Sequence, residues 1–355
     1  MKHIYYLLPV YLATFALQTL AQDCPQALRL ARAIYDQGRL QEVETYLQPC
    51  FTGKSADGQK ALMVEAYKLL CLSHIYLEEP EKADADMLNI KKTDPYYRPN
   101  EGVDPAEYVA LYKTFREAPI FRYGGRIGLN AARPSVQSLN TAVQLAEDSK
   151  YGYGFSFVFG FGIDLPLTSL LTLHGELLYN PWQFALTEKV LINDPYTGQQ
   201  RLNEFQGTEN QNWISMPVQV EYTLFNSSQS ISRHSPFVAA GINTGYLLNA
   251  NITAERQREG QSTVPEANIE INRNRLNLGL VLSAGIKPKL GSGKLVVEFR
   301  YTYGLTPVTS QEKAFANQQL LADYYYADPI FTVQAFAFSV SYLQEKFSPK
   351  KITKR

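Results

Sequence analysis

Histidine and cysteine, on which many catalytic and metal sites depend, are scarce: 355 residues contain four histidines and three cysteines. His3 lies in an apolar N-terminal stretch, His74 in a helical region, His174 inside an alternating segment and His234 in a short join. No zinc-type Cys/His spacing, nucleophile elbow or phosphate loop is present. Gly291–Ser292–Gly293–Lys294 has phosphate-loop letters, but it joins two strand-like segments with no helix after it, and reads as a tight turn. No catalytic, cofactor-binding or metal-ligating residue is therefore assigned. An excess of one charge is also missing, because 34 basic residues balance 34 acidic ones. Without a basic stripe, nucleic-acid binding has no support. Past the N-terminus no run of about 18 apolar residues occurs, so no membrane-spanning helix is expected.

What the sequence does contain is alternation. Eight amphipathic segments run over 121–131, 151–164, 169–182, 212–225, 236–250, 273–287, 294–305 and 329–344. In the second, Tyr153, Phe155, Phe157, Phe159, Phe161 and Ile163 share one face, while Gly154, Ser156, Gly160, Gly162 and Asp164 share the other. The seventh sets Leu295, Val297, Phe299, Tyr301 and Tyr303 against Glu298, Arg300, Thr302 and Gly304. A soluble barrel turns its large apolar residues inward; large aromatics on one face and small or charged residues on the other fit the inverted arrangement of a membrane barrel. The joins alternate too. Three are about four, ten and six residues, and the other four are roughly 19 to 29, as in barrels with short turns on one side of a membrane and long loops on the other.

The first 21 residues fit a secretory signal peptide, with Lys2 and His3 ahead of the apolar stretch Ile4–Leu20 and the small Ala21 at the cut. Asp23 before Cys24 is unsuited to lipid attachment. Residues 25–117 carry helical periodicity, for example Ala27, Leu28, Leu30, Ala31 and Ile34, and form helical hairpins. Leu70, Cys71, Ala83 and Pro95 resemble the offsets of a tetratricopeptide repeat, which implies a concave surface for a peptide. Cys24 precedes the first helix and Cys50 follows the second. An antiparallel hairpin returns the chain to its starting end, which predicts a Cys24–Cys50 disulfide in an exported chain. Cys71, inside a helix, is expected to be a packing residue.

Alternation directs Arg126, His174, Glu176, Glu221, Arg275, Glu298 and Arg300 into the lumen, where eight strands leave room for side chains rather than a channel, so a structural charge network is expected. Trp182 and Trp213 would also turn inward, but Pro181 permits a bulge, and their direction is open. Gly124–Asn130, Gly175–Tyr179, Met216–Val218, Ala239–Leu247 and Glu298–Leu305 together resemble the PorT-like family of small outer-membrane β-barrels from Gram-negative bacteria. That resemblance implies an eight-stranded barrel without established enzymatic activity, some members being linked to type IX protein secretion. The helical region and the basic tail Lys350–Arg355, expected to be a solvated end, depart from the family pattern.

The expected fold is α+β and multidomain, an eight-stranded antiparallel transmembrane β-barrel preceded by a small all-α, tetratricopeptide-like domain. The expected divisions are 1–21 signal peptide, 22–118 periplasmic helical domain, 119–345 outer-membrane barrel and 346–355 basic tail. The expected role is a non-enzymatic membrane anchor, scaffold or secretion-related assembly factor that contacts outer-membrane lipid and binds a periplasmic or outer-membrane protein. Long loops would face outward, the helices and C-terminus the periplasm. A narrow channel or small-ligand carrier is the alternative, and a surface-facing enzyme ranks third because the long joins lack histidine.

Overall fold

The computed structural model describes residues 24–52, 60–138, 150–193, 198–224, 235–256, 266–310, 312–318, 320–321 and 326–352. The expected signal peptide and the end of the basic tail lie outside them, as does His234. The chain forms two compact units, Met1–Ala118 with Phe347–Arg355, and Pro119–Lys346.

The first unit holds helices α1 (Cys24–Asp36), α2 (Val43–Thr52), α3 (Lys60–Tyr76), α4 (Pro80–Thr93) and α5 (Ala106–Lys113). Ala27, Leu28, Ala31 and Ile34 recur at helical spacing on α1 and pack with Val43 and Leu47 of α2 and Ala66, Leu69 and Leu70 of α3. A second cluster joins Val64, Cys71 and Leu72 of α3 to Ala83, Met87 and Ile90 of α4 and to Tyr108 and Tyr112 of α5. Cys24 and Cys50 form the expected disulfide, their Cα atoms 4.5 Å apart. Cys71 is buried and free, and burial pushes its thiol pKa up, which keeps it unreactive.

Helix α1 stops at Gly38, whose φ of 78° lets Arg39 N–H reach the Ile34 carbonyl at 3.1 Å. Helix α3 stops the same way, with Glu79 N–H 2.9 Å from the His74 carbonyl, but there the left-handed position is filled by Glu78 at φ 58°. A side chain in that conformation is strained, so Glu78→Gly is expected to stabilise the helical unit by roughly 0.5–1 kcal/mol. Chemical denaturation followed by helical circular dichroism checks this; a loss of stability would contradict it. The tail differs from its expectation. Rather than being solvated throughout, it pairs with the helical unit through a Phe115–Lys351 bridge, Arg116 N–H bonds the Lys350 carbonyl at 3.0 Å, and Ile352 N–H bonds the Thr114 carbonyl at 2.7 Å.

The second unit is a closed ring. Its labelled strands are β1 (Phe121–Ser138), β2 (Gly154–Pro166), β3 (Leu171–Tyr179), β4 (Trp182–Asn193), β5 (Gln200–Thr223), β6 (Pro236–Arg256), β7 (Leu276–Ile286), β8 (Gly293–Gly304) and β9 (Ile330–Lys346). All pairings are antiparallel; the ring runs β1-β2-β3-β5-β6-β7-β8-β9 and closes by β9 on β1, with Phe121 opposite Lys346 at the short-turn end. The faces match the alternation: Phe155 and Phe157 are each 73% exposed on the outer wall, while Val158 and Asp164 face inward and are buried. Tyr123, Tyr222, Tyr246, Tyr303 and Tyr342 are likewise exposed. Lys289–Leu290 pairs with Gly293–Lys294 around Gly291 at φ 58°, a tight turn.

One long join is not a loop. Tyr179 pairs with Ile214 and Trp182 with Gln211, so β3 and β4 follow one line along β5 in the same register, the two strands being separated at Asn180–Pro181, where proline offers no N–H. β4 and β5 thus extend the wall as a hairpin from Trp182–Gln211 to Asn193–Gln200. At this long-loop end an apolar core fills the interior. Phe184 and Leu186 of β4, Phe205 of β5, Ile252 of β6 and Phe331 of β9 meet Val308 and Leu320 from the β8–β9 join there. Trp182 and Trp213 both turn inward, with ring centroids 4.9 Å apart.

Candidate functional site

The lumen nearer the short-turn end is built from charge. Arg126 on β1 and Arg300 on β8 flank Glu298, also on β8, and Glu176 on β3, and all four are buried. Arg126 grips Glu298 with both terminal nitrogens, Nη1 to Oε1 at 3.1 Å and Nη2 to Oε2 at 2.7 Å, and Nη1 also donates to Ser339 Oγ at 2.9 Å. Its Nε lies 2.5 Å from Glu176 Oε1, off the hydrogen-bond direction, so this contact is an ion pair rather than a directed bond. Arg300 Nη1 meets Glu176 Oε2 at 2.7 Å, and its Nε donates to Glu298 Oε1 at 2.8 Å.

His174 continues the network toward the turns. Its Nε2 is 3.0 Å from Glu176 Oε1, and its Nδ1 contacts Asp164. A carboxylate at each ring nitrogen is the arrangement an imidazolium satisfies, since both of its nitrogens carry hydrogen. Lys287 Nζ then bridges Asp164 Oδ2 at 2.9 Å and Glu221 Oε2 at 2.6 Å. With His174 charged, four cations (Arg126, Arg300, Lys287, His174) face four carboxylates (Asp164, Glu176, Glu221, Glu298). These eight groups therefore balance one another in charge.

Six of the seven expected lumen residues join this network, Glu221 through Lys287. Arg275 does not. It is exposed, with Nη1 donating to the Tyr246 hydroxyl at 3.3 Å, because regular strand begins only at Leu276 and alternation cannot be carried back past it. Asp164 and Lys287 join it as well: the alternation puts Asp164 on the inner face with Gly160 and Gly162, while Lys287, at the strand's end, shares parity with Asn277 and Ser283 but is not among the seven.

Arg273 is the arginine buried from that segment, and it serves a second cluster beneath the long-loop end. Nε and Nη2 bind Glu209 at 2.7 and 2.8 Å, Nη2 reaches Asp328 Oδ1 at 2.8 Å, and Nη1 donates to Thr309 Oγ1 at 3.2 Å. Asn272 Nδ2 and the Tyr326 hydroxyl also donate to Asp328. Glu188 on β4, roughly 30 Å along the strand beyond Tyr179, accepts from the Tyr151 hydroxyl at 2.7 Å. Burial pushes its pKa up to about 7, the Asp328 charge adding to the rise and the Tyr151 bond opposing it.

Two small cavities lie among these charges. A cavity of about 30 Å³ is lined by Arg126, Asn130, Asn180, Asn243 and Arg300, and one of about 10 Å³ by His174, Glu176, Glu221 and Lys287. Their size suits no more than a water or two. Among the described residues no group of three or more His, Cys, Asp or Glu side chains is placed to hold a metal ion.

Residues 117–310 match the family model of the outer membrane protein β-barrel domain. The chain belongs to that family. As an outer-membrane barrel it presents its exposed aromatic wall to lipid, which explains why Phe155, Phe157 and Phe159 face outward while charge is enclosed. Solved structures similar to it include the outer membrane protein OprG from Pseudomonas aeruginosa, at 8% identity and TM-score 0.35 over 65% of this chain and 98% of that one. Neisserial surface protein A shares 12% identity at TM-score 0.30, covering 63% of this chain and 97% of its own. The E. coli Outer Membrane Protein W shares 13% at TM-score 0.26, covering 65% and 98%. No curated protein matches the chain.

Proposed function

We propose that this outer-membrane barrel is an anchor or assembly scaffold whose helical unit holds a protein partner in the periplasm. The observation that carries the reading is the packed interior: among the described residues ion pairs occupy one part of the lumen and an apolar core the other, and the cavities among the ion pairs measure about 30 and 10 Å³. A carrier or channel needs a continuous path, and removing this packing to make one would strand buried charges.

In this reading residues 1–21 direct export, 22–118 form the periplasmic domain and 119–345 the barrel, the long loops facing outward. Both chain connections to the helical unit leave the barrel at its short-turn end, where Phe121 pairs with Lys346, which supports a periplasmic helical unit. The tetratricopeptide-like offsets support peptide binding, with Cys71 against Ala83 and His74 against Asp86 across the α3–α4 pair. The PorT-like resemblance, some members of that family being linked to type IX secretion, favours a secretion-related partner.

Crosslinking in intact membranes followed by affinity isolation tests this. The full chain is expected to retain a specific partner that a variant lacking residues 24–117 loses, with barrel folding confirmed by heat-modifiable gel mobility. Equal capture by both would sink the scaffold reading.

A further inference from the structure

Within the helical unit, a groove of about 380 Å³ lies between the end of α3, the start of α4 and α5. Its chemistry is one-sided. Ile75, Pro80, Ala83, Ala110 and Leu111 give it an apolar floor, and Glu78, Glu79, Asp84 and Glu107 stand around that floor. Glu79 is neutralised by Lys82 at 2.9 Å and Asp84 by Lys351, whereas Glu78 and Glu107 have no cationic partner among the described residues.

His74 lines the groove from beneath. It is 7% exposed, and its Nδ1 is 2.6 Å from Asp86 Oδ2, so Asp86 takes the Nδ1 hydrogen and fixes the ring. Its Nε2 lies 3.8 Å from Glu79 Oε2, so a carboxylate stands near each ring nitrogen, the Glu79 contact being beyond hydrogen-bond range. Two carboxylates without a cationic partner and an apolar floor suit a long side chain that ends in positive charge. Lysine and arginine fit, because their methylene stems cover apolar surface while the charged head reaches out.

The chain supplies its own precedent. Tail residues Lys350–Ile352 lie extended along Thr114–Arg116, held by the two backbone bonds already described, and this places the Lys351 ammonium on Asp84 at the groove's edge. An extended basic segment thus already delivers one lysine to this rim.

We propose that the groove between α3, α4 and α5 receives a lysine or arginine side chain from an extended basic segment of a partner protein. The inference rests on the reading of the helical unit as a partner-binding module. It deepens that reading by giving the partner's chemistry.

The test uses the full chain in zwitterionic detergent micelles at low salt, with a fluorescein-labelled lysine–glycine heptapeptide and its glutamate counterpart as probes, read by fluorescence polarisation. The lysine peptide is expected to bind and the glutamate peptide not. Glu78→Gln with Glu107→Gln is expected to weaken binding by about tenfold, the sum of two modest surface ion pairs. Both residues are exposed, so folding should persist. Glu81→Gln, an exposed α4 carboxylate outside the groove, should bind like the unaltered chain.

Equal binding of both peptides, no binding of either, or equal loss in the Glu81 variant would overturn the groove assignment. Partner capture from membranes separates the two ideas. If the unaltered chain and the groove variant capture a partner equally, the groove assignment fails and the scaffold stands. If the unaltered chain captures none, the scaffold fails, and the peptide measurement still judges the groove.

Discussion

Replacing Glu298 by alanine should cost the barrel about 3–5 kcal/mol, the loss expected when one partner of a buried ion pair is removed and the other is left uncompensated. Glu298 accepts from Arg126 at 2.7 and 3.1 Å and from Arg300 at 2.8 Å. Without it, two buried guanidiniums share Glu176 alone, and their mutual repulsion is no longer screened. Glu298→Gln should cost less, because one acceptor oxygen remains. Replacing Arg126 and Glu298 together with apolar residues of similar volume should cost less than either single truncation, since no charge is then orphaned. Equilibrium urea unfolding in lipid vesicles or micelles measures all three. A Glu298→Ala loss below about 1 kcal/mol, the range of exposed pairs, would mean that water reaches these charges.

The second large effect depends on pH. Glu188 is buried, and burial raises its pKa from 4.5 to about 7, so the folded chain binds its proton more tightly than the unfolded chain does. The sign follows directly. Between those two values the folded state holds more protons, so rising pH lowers stability, and above about 7 the full penalty of a buried charge is present. That penalty is about 3 kcal/mol. Glu188→Gln removes the titration while keeping an acceptor for Tyr151. It should therefore match the unaltered chain at pH near 4.5 and exceed it by about 3 kcal/mol at pH 8. Because other groups titrate equally in both proteins, the difference isolates Glu188. A stability difference that does not change with pH would contradict the assignment.

How far the sequence reveals this arrangement depends on where a residue stands relative to lipid. Phe155, Phe157 and Phe159 are legible because a membrane wall demands apolar side chains at every second position, and the smaller Gly154, Ser156, Val158 and Gly160 take the inner positions. Arg126, Glu176, Glu298 and Arg300 follow from the same alternation. Beyond the membrane that demand ends. β4 alternates as well, with Trp182, Phe184 and Leu186 buried, but its outward Gln183 and Ala185 lack the lipid-facing signature, so the hairpin reads as a loop.

Arg275 and Arg273 have the same parity, yet only Arg273 is buried, because irregular chain between Arg273 and Leu276 resets the direction of side chains. Glu209 and Asp328, the partners of Arg273, lie far from it in sequence, and no local pattern joins them. The Cys24–Cys50 bridge was legible because a helical hairpin fixes where its two ends meet. The return of the tail to Phe115 was not, since pairing of Lys351 with that residue depends on contacts across most of the chain.

The filled lumen is tested most directly by single-molecule recording of the purified full chain in a planar lipid bilayer. With Arg126, Glu176, Glu298 and Arg300 paired and an apolar core at the long-loop end, insertion should leave the baseline current unchanged across the voltage range. Steady ohmic conductance that Glu298→Ala abolishes would show that these charges line an ion path, and would contradict the closed barrel.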